Sequence, residues 1–140
     1  MSVSEYLHGQ AHVDQYRETG GEVGYIWKEG STILLITTTG WRTGKPRTKP
    51  LIYAADDDRY VIVASKGGAP KDPSWYRNLV KAPEVEVQVK DEIFRARART
   101  AEGAERERLW TKMNEVWPHY AEYQQRTERV IPVVVLERAA

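Results

Sequence analysis

Cysteine is absent from the 140 residues, and with it go disulfides, thiolate metal ligands, iron–sulfur clusters and a cysteine nucleophile. Such a chain fits an intracellular, cytoplasmic address. Charge of one sign is missing too: 21 Lys and Arg face 20 Asp and Glu, so no global field draws the chain to nucleic acid or anionic lipid. Any anion site must be local. No stretch approaches the ~20 apolar residues of a membrane span, and the opening MSVSEYLHGQAHVDQYRETGG lacks the basic start and apolar block of a secretory leader. A soluble protein without firm membrane association is expected. Histidine is scarce; His8 and His12 stand four apart, but the glutamate and third ligand of a zinc helix are missing, so no metal site is expected. Neither a GxSxG nucleophile elbow nor Walker A spacing occurs.

A chain of this length with 41% hydrophobic content supports one domain with a real core. We take residues 1–140 as that domain, with residues 1–20 as an N-terminal helical segment. Ser2 and Glu5 have capping-box spacing, and Tyr6, Val13 and Tyr16 fall near one face before Gly20 and Gly21, which predicts a helix over residues 4–18. The run TILLITTT ends at Gly40, and after a turn with Gly44 and Pro46 the run TKPLIY resumes, giving two antiparallel strands. A turn at Asp56 to Asp58 leads to a third strand, RYVIVA, and then to the loop SKGGAPKDPS. Asp72 before Pro73 reads as an N-cap followed by proline at the first helical position, opening the helix SWYRNLVK that Pro83 stops. Val85, Val87 and Val89 alternate with polar residues, as do Phe94, Ala96 and Ala98, which predicts a hairpin turning at Asp91 and Glu92. Leu109, Trp110, Met113, Val116 and Trp117 mark a helix ended by Pro118, and PVVVL, apolar on both faces, predicts a buried central strand. Short turns between strands, inserted helices and no βαβ alternation predict an α+β fold, an antiparallel barrel or sheet with peripheral helices.

Three segments carry candidate chemistry. In residues 37–51, Arg42, Lys45, Arg47 and Lys49 crowd a glycine-containing turn, which is either a phosphate site or a hairpin tip made basic for solubility. In residues 63–79, Lys66 and Lys71 flank a helix start that attracts anions, and Trp75, Tyr76 and Asn78 either receive a flat ring or pack the helix onto the sheet. In residues 116–136, Trp117, Tyr120 and Tyr123 are spaced by three, as an aromatic wall or as a core stripe, and His119 is either a general acid or a surface histidine. Five Trp and eight Tyr against one Phe suit a planar-ligand pocket and a core equally.

In order, TTTGxxTGxPR (37–47), ASKGG (64–68), PxWYxNL (73–79) and PxYxxYQxxTxRxIPVVxL (118–136) resemble the deazaflavin-dependent nitroreductase family, a branch of the flavin-type split-barrel oxidoreductases. The resemblance spans residues 15–137 and implies an antiparallel split β-barrel with peripheral helices that binds coenzyme F420, a phosphorylated deazaflavin. It implies that Trp41, Arg42, Thr43 and Arg47 hold the coenzyme's phosphate and tail, with Lys49 and Pro50 lining the neighbouring strand. Val63, Ala64, Ser65, Lys66 and Gly67 would run along the ring, beside Trp75, Tyr76 and Asn78. Tyr120 and Tyr123 would face the substrate, as catalytic residues that stabilise or protonate it. The implied reaction is hydride transfer from the reduced coenzyme to a small organic acceptor: a quinone, an activated enone or a nitroaromatic. The chain departs from the family pattern in three places: Trp41-Arg42 replaces its Arg-Lys pair, Trp117 stands where close relatives can have tyrosine, and Ser74 where methionine can occur. Competing readings are FMN in the same fold, a non-catalytic deazaflavin-binding protein, and an oligonucleotide-binding barrel with strongly salt-dependent affinity. The balanced net charge disfavours nucleic acid, and the oligomeric state stays open.

Overall fold

The computed structural model describes residues 7–139. The β-branched and apolar runs extend as seven strands, β1 (Ile33–Thr39), β2 (Pro46–Ile52), β3 (Ala54–Asp56), β4 (Arg59–Val63), β5 (Glu84–Val89), β6 (Glu92–Thr100) and β7 (Val133–Arg138). They form one antiparallel sheet in the order β2-β1-β5-β6-β7-β4-β3. The sheet curls until β2 touches β4, making a half-barrel. Four helices pack around it: α1 (Gly9–Thr19), α2 (Ser74–Lys81), α3 (Gly103–Val116) and α4 (His119–Gln125). Among the described residues no helix is long and apolar enough to cross a membrane.

The PVVVL segment explains how the layers hold together. β7 lies between β6 and β4, and strand alternation sends its side chains to two separate apolar clusters. Val134 and Leu136 join Leu34, Ile36, Ile62 and Val87 beneath Trp75 and Leu79 of α2. Val133 and Val135 join Val61 and Val63 against Leu109 and Met113 of α3 and Tyr120 of α4. Because both faces are covered, residues 133–136 are wholly buried, and the strand reads as an unbroken apolar run.

α1 lies against β1 through Val13, Tyr16, Ile33 and Leu35. Tyr16, fully buried, donates from Oη to the Ile33 carbonyl at 2.9 Å and accepts the Lys90 N–H at 2.7 Å. Burial pushes its phenol up to about 12 despite that N–H, which favours the phenolate. The helix begins at Gly9, with His8 extended (φ −143°, ψ 151°), later than the start at residue 4 that its apolar spacing suggests. The Ser2 and Glu5 capping box lies outside the described residues.

Two further boundaries differ from the sequence reading. Pro73, not Asp72, occupies the N-cap position of α2, which has no side-chain cap; the Asp72 carboxylate is taken up by Arg129 at 2.9 Å instead. The β5–β6 hairpin turns at Lys90 and Asp91, with Lys90 in the left-handed region (φ 56°) and Glu92 already in β6.

At the opposite edge, Asp56 is the last residue of β3, paired with Arg59, and not part of the turn that the sequence suggests; its buried carboxylate joins the β3–β4 hairpin to α3. Arg108 grips it bidentately at 2.9 and 3.0 Å, while Lys112 approaches to 3.2 Å and Arg59 completes the shell. These hydrogen bonds, led by Arg108, outweigh burial and hold the Asp56 pKa far below the usual carboxylate range. A depressed folded pKa stabilises the protein above the unfolded value of about 3.9 and is lost as pH falls through the folded one. Asp56→Asn should therefore cost roughly 1–3 kcal/mol at neutral pH. Urea melts should show this gap narrowing below about pH 4, where the wild-type carboxylate begins to lose its advantage.

Candidate active site

Two neighbouring hollows share Lys49 and Trp75 in their walls and together make up the candidate groove. The first, about 450 Å³, is lined by Val63, Ser65, Lys66, Gly67, Pro50, Trp75, Trp117, Tyr120 and Tyr123, together with Leu7, His8, His12 and Trp27. The second, about 410 Å³, is lined by Trp41, Arg42, Thr43, Arg47, Lys49, Ser74, Trp75 and Asn78. The groove thus joins a cationic end to an aromatic one.

The cationic end is the β1–β2 turn, shaped by its own backbone. Gly40 N–H donates to Lys45 O at 2.7 Å and Gly44 N–H to Gly40 O at 2.8 Å, with Gly44 in the left-handed region (φ 72°). From α2, the buried amide of Asn78 reaches across: Oδ1 accepts the Trp41 N–H at 2.8 Å and Nδ2 donates to Thr38 Oγ1 at 3.0 Å. Lys81 adds a bond to the Trp41 carbonyl at 3.1 Å. Asn78 therefore sets the turn in place, and its polar atoms are already engaged. The Arg42 guanidinium lies over the Trp41 ring, 4.5 Å from its centroid. Arg42, Arg47 and Lys49 are exposed, with charge free to meet an anion.

The aromatic end rests on the loop after β4. Lys66, Gly67 and Gly68 are left-handed in succession (φ 46°, 63° and 82°), a conformation only glycine adopts without strain. The Arg129 guanidinium holds the loop from behind, donating to Ser65 O at 2.6 Å, Ala69 O at 2.7 Å, Ala64 O at 3.2 Å and Asp72 Oδ1 at 2.9 Å. Gln124 of α4 fixes that segment, donating to Arg129 O at 2.7 Å and accepting the Ile131 N–H at 2.9 Å. Gly68 sits so close to α4 that a Cβ there would lie 2.5 Å from the Tyr123 carbonyl oxygen.

Above the loop, Tyr120 and Tyr123 meet edge to face at 6.2 Å, and Trp27 lies 5.9 Å from Trp117. Trp117 Nε1 donates weakly to Tyr123 Oη at 3.4 Å. Tyr120 is 4% exposed, and its hydroxyl makes no hydrogen bond to a described residue. Burial first, and the neighbouring Tyr123 second, push its pKa well above the ordinary tyrosine value. The phenol therefore keeps its proton throughout the physiological range. His12 is spoken for: Nε2 lies 2.8 Å from the Gly24 carbonyl. Among the described residues no cluster of metal-ligating side chains forms.

Most residues named from the sequence thus line one groove. Five stand apart: Lys45, Lys71 and His119 line neither hollow, Ala64 is buried and offers the loop only its backbone, and Tyr76 lies outside both hollows with its hydroxyl 2.8 Å from Thr100 Oγ1. Arg129, Trp27, Leu7, His8 and His12 received no site role from the sequence. For Arg129 the only signal was its place in the last motif.

A half-barrel carrying such a groove has the architecture of a split-barrel oxidoreductase. The family model for F420H(2)-dependent quinone reductases matches residues 8–138, and the chain belongs to that family. An F420H(2)-dependent quinone reductase of Mycobacterium tuberculosis is 45% identical over 126 residues, covering 88% of this chain and 85% of that one. The solved structure of the F420-H2 dependent reductase FDR-A is 48% identical with a TM-score of 0.70, covering 75% of this chain and 93% of that one. A structure described as a domain-swapped dimer is 42% identical with a TM-score of 0.73, covering 91% of this chain and 96% of that one. The chain is accordingly an F420-dependent reductase. Its groove suits such a coenzyme: cations and a glycine turn at one end for a phosphate, and flat aromatic walls over a strained glycine loop at the other for a ring.

The Gly68 contact gives a direct test. Gly67 and Gly68 are both left-handed, but no atom lies within 4 Å of a Cβ at Gly67. Gly67→Ala should cost about 1 kcal/mol from backbone strain alone. Gly68→Ala should cost roughly 1–3 kcal/mol more by forcing the loop off α4, and should also weaken coenzyme binding. Thermal melts and coenzyme titration of both variants measure the difference.

Proposed function

We propose that this protein transfers a hydride from reduced coenzyme F420 to a quinone, with activated enones and nitroaromatics as further acceptors of the same geometry. The observation that carries this reading is the adjacency of two hollows that share Lys49 and Trp75, one lined by Arg42 and Arg47 and the other by Tyr120 and Tyr123. When bound, the coenzyme supplies a two-electron hydride donor, because carbon replaces the reactive nitrogen of a flavin ring.

The chain's own residues bind, orient and protonate. Arg42, Thr43 and Arg47 hold the phosphate and tail, with Trp41, Lys49 and Pro50 beside them. The backbone of residues 63–67 and the Trp75 ring form the bed for the deazaflavin. Trp27, Trp117 and Tyr123 restrict water at the acceptor end. Tyr120 holds its proton at Oη and gives a hydrogen bond or the proton itself to the acceptor oxygen as negative charge develops there. Its raised pKa keeps that proton in place well into the alkaline range, so turnover should show no loss from Tyr120 ionisation at or below pH 10.

The first experiment is titration of the protein into reduced F420, followed by absorbance with and without menadione, with FMN as the competing ligand. Micromolar or tighter binding with menadione-dependent oxidation supports the reading. Failure to bind F420, or preference for FMN, overturns it. Tyr120→Phe should lower menadione turnover about 100-fold with little change in coenzyme affinity; unchanged turnover removes Tyr120 from the chemistry. Arg42→Ala with Arg47→Ala should weaken coenzyme binding by roughly 10- to 100-fold and flatten its salt dependence.

A further inference from the structure

Two segments distant in sequence roof the acceptor end: Trp27, beside the turn Lys28–Gly30, and the Trp117, Tyr120 and Tyr123 group around α4. His119 joins them without being among the groove-lining residues. Its Nε2 lies 2.8 Å from Glu29 Oε2 on one lip and its Nδ1 2.9 Å from Glu122 Oε2 on the other. Its ring packs 4.7 Å from Trp117 and 6.4 Å from Tyr123, nearly parallel to the latter. Glu29 is itself left-handed (φ 56°), an uncommon conformation outside glycine that aims its carboxylate across the gap.

We propose that His119 is a positioning residue whose imidazolium clamps the Trp27 lip to the α4 lip, so that its protonation sets how well the groove receives an acceptor. The reason is donor arithmetic. An ionised carboxylate only accepts hydrogen bonds, and a neutral imidazole has one N–H. Both bridges form together only when both ring nitrogens carry protons; loss of one sets a ring lone pair against a carboxylate oxygen. The charged groups facing His119 are Glu122 on its own helix and Glu29 on the opposite lip, and the bonds to them raise its pKa above the ordinary histidine value. Other cations and titratable groups lie near the roof: Lys28 and His8 lie against Trp27, and Arg126 against Tyr123.

This inference rests on the acceptor occupying the roofed end, so its test has an arm that needs no acceptor. With menadione, KM should rise as pH climbs through a midpoint above the ordinary histidine value of about 6.5, while kcat and coenzyme affinity hold steady. His119→Gln should raise KM at the acid end roughly threefold, the scale of an exposed ion pair, and abolish its pH dependence. Glu29→Gln should move the midpoint to lower pH. A His119→Gln enzyme with the wild-type KM and pH profile overturns the clamp. In the ligand-free protein, near-ultraviolet circular dichroism from the Trp27 and Trp117 pair should titrate with the same midpoint, an effect lost in His119→Gln and, as a check on its origin, in Trp27→Phe. A signal that does not titrate, or titrates equally without His119, overturns the clamp whether or not menadione is reduced. Failure to reduce menadione beside a titrating signal removes the acceptor reading alone.

Discussion

The Arg129 guanidinium, 14% exposed, supplies donors to three backbone carbonyls of residues 64–69 and to Asp72. Those carbonyls belong to a loop that turns through three left-handed residues and has little regular structure of its own. An unpaired buried carbonyl costs free energy comparable to a lost hydrogen bond, so a single planar cation is what makes this strained path tolerable. The same side chain takes the carboxylate of Asp72 and so fixes where α2 begins. Since α2 carries Asn78, which holds the β1–β2 turn, both ends of the groove trace back to one side chain. Replacing it by lysine would keep the charge and lose the fork geometry that serves several acceptors at once.

The half-barrel explains why so small a chain has room for a groove at all. β7 buries side chains on both faces and so divides the interior into two apolar clusters served by different helices. α2 rests on one cluster and α3 with α4 on the other, and the groove passes between their outer ends. Trp75 belongs to the first cluster and Tyr120 to the second, yet both line the same hollow. These aromatic residues thus belong to the core and line the hollow at the same time.

The sequence made local patterns legible. Alternation exposed β5 and β6, the doubly apolar PVVVL marked the central strand, and the ordered motifs led to the family and to most of the groove lining. What it could not show depended on partners far along the chain. Asp72 before Pro73 has every local mark of an N-cap, but an arginine 57 positions away competes for its carboxylate and wins by a charge-assisted bond. The sequence groups Asn78 with Trp75 and Tyr76 as a place for a flat ring or for helix packing, and its amide bonds Thr38 and Trp41, 40 and 37 positions distant. Tyr76 shares a helix with Trp75 but points about 100° away from it, which places it beside Thr100 and outside the groove. Trp27 sits in a segment without periodicity, so no pattern could assign it a wall, and His8 falls within the predicted helix, off its apolar face.

The strand that serves the cationic end is also an edge of the sheet. β2 pairs only with β1, and an unpaired edge of seven residues is normally a template on which another chain can add a strand. Pro46 and Pro50 remove two backbone donors from it, while Arg47 and Lys49 place like charges along it. The exposed cations beside the second hollow therefore also discourage strand-to-strand aggregation along this edge.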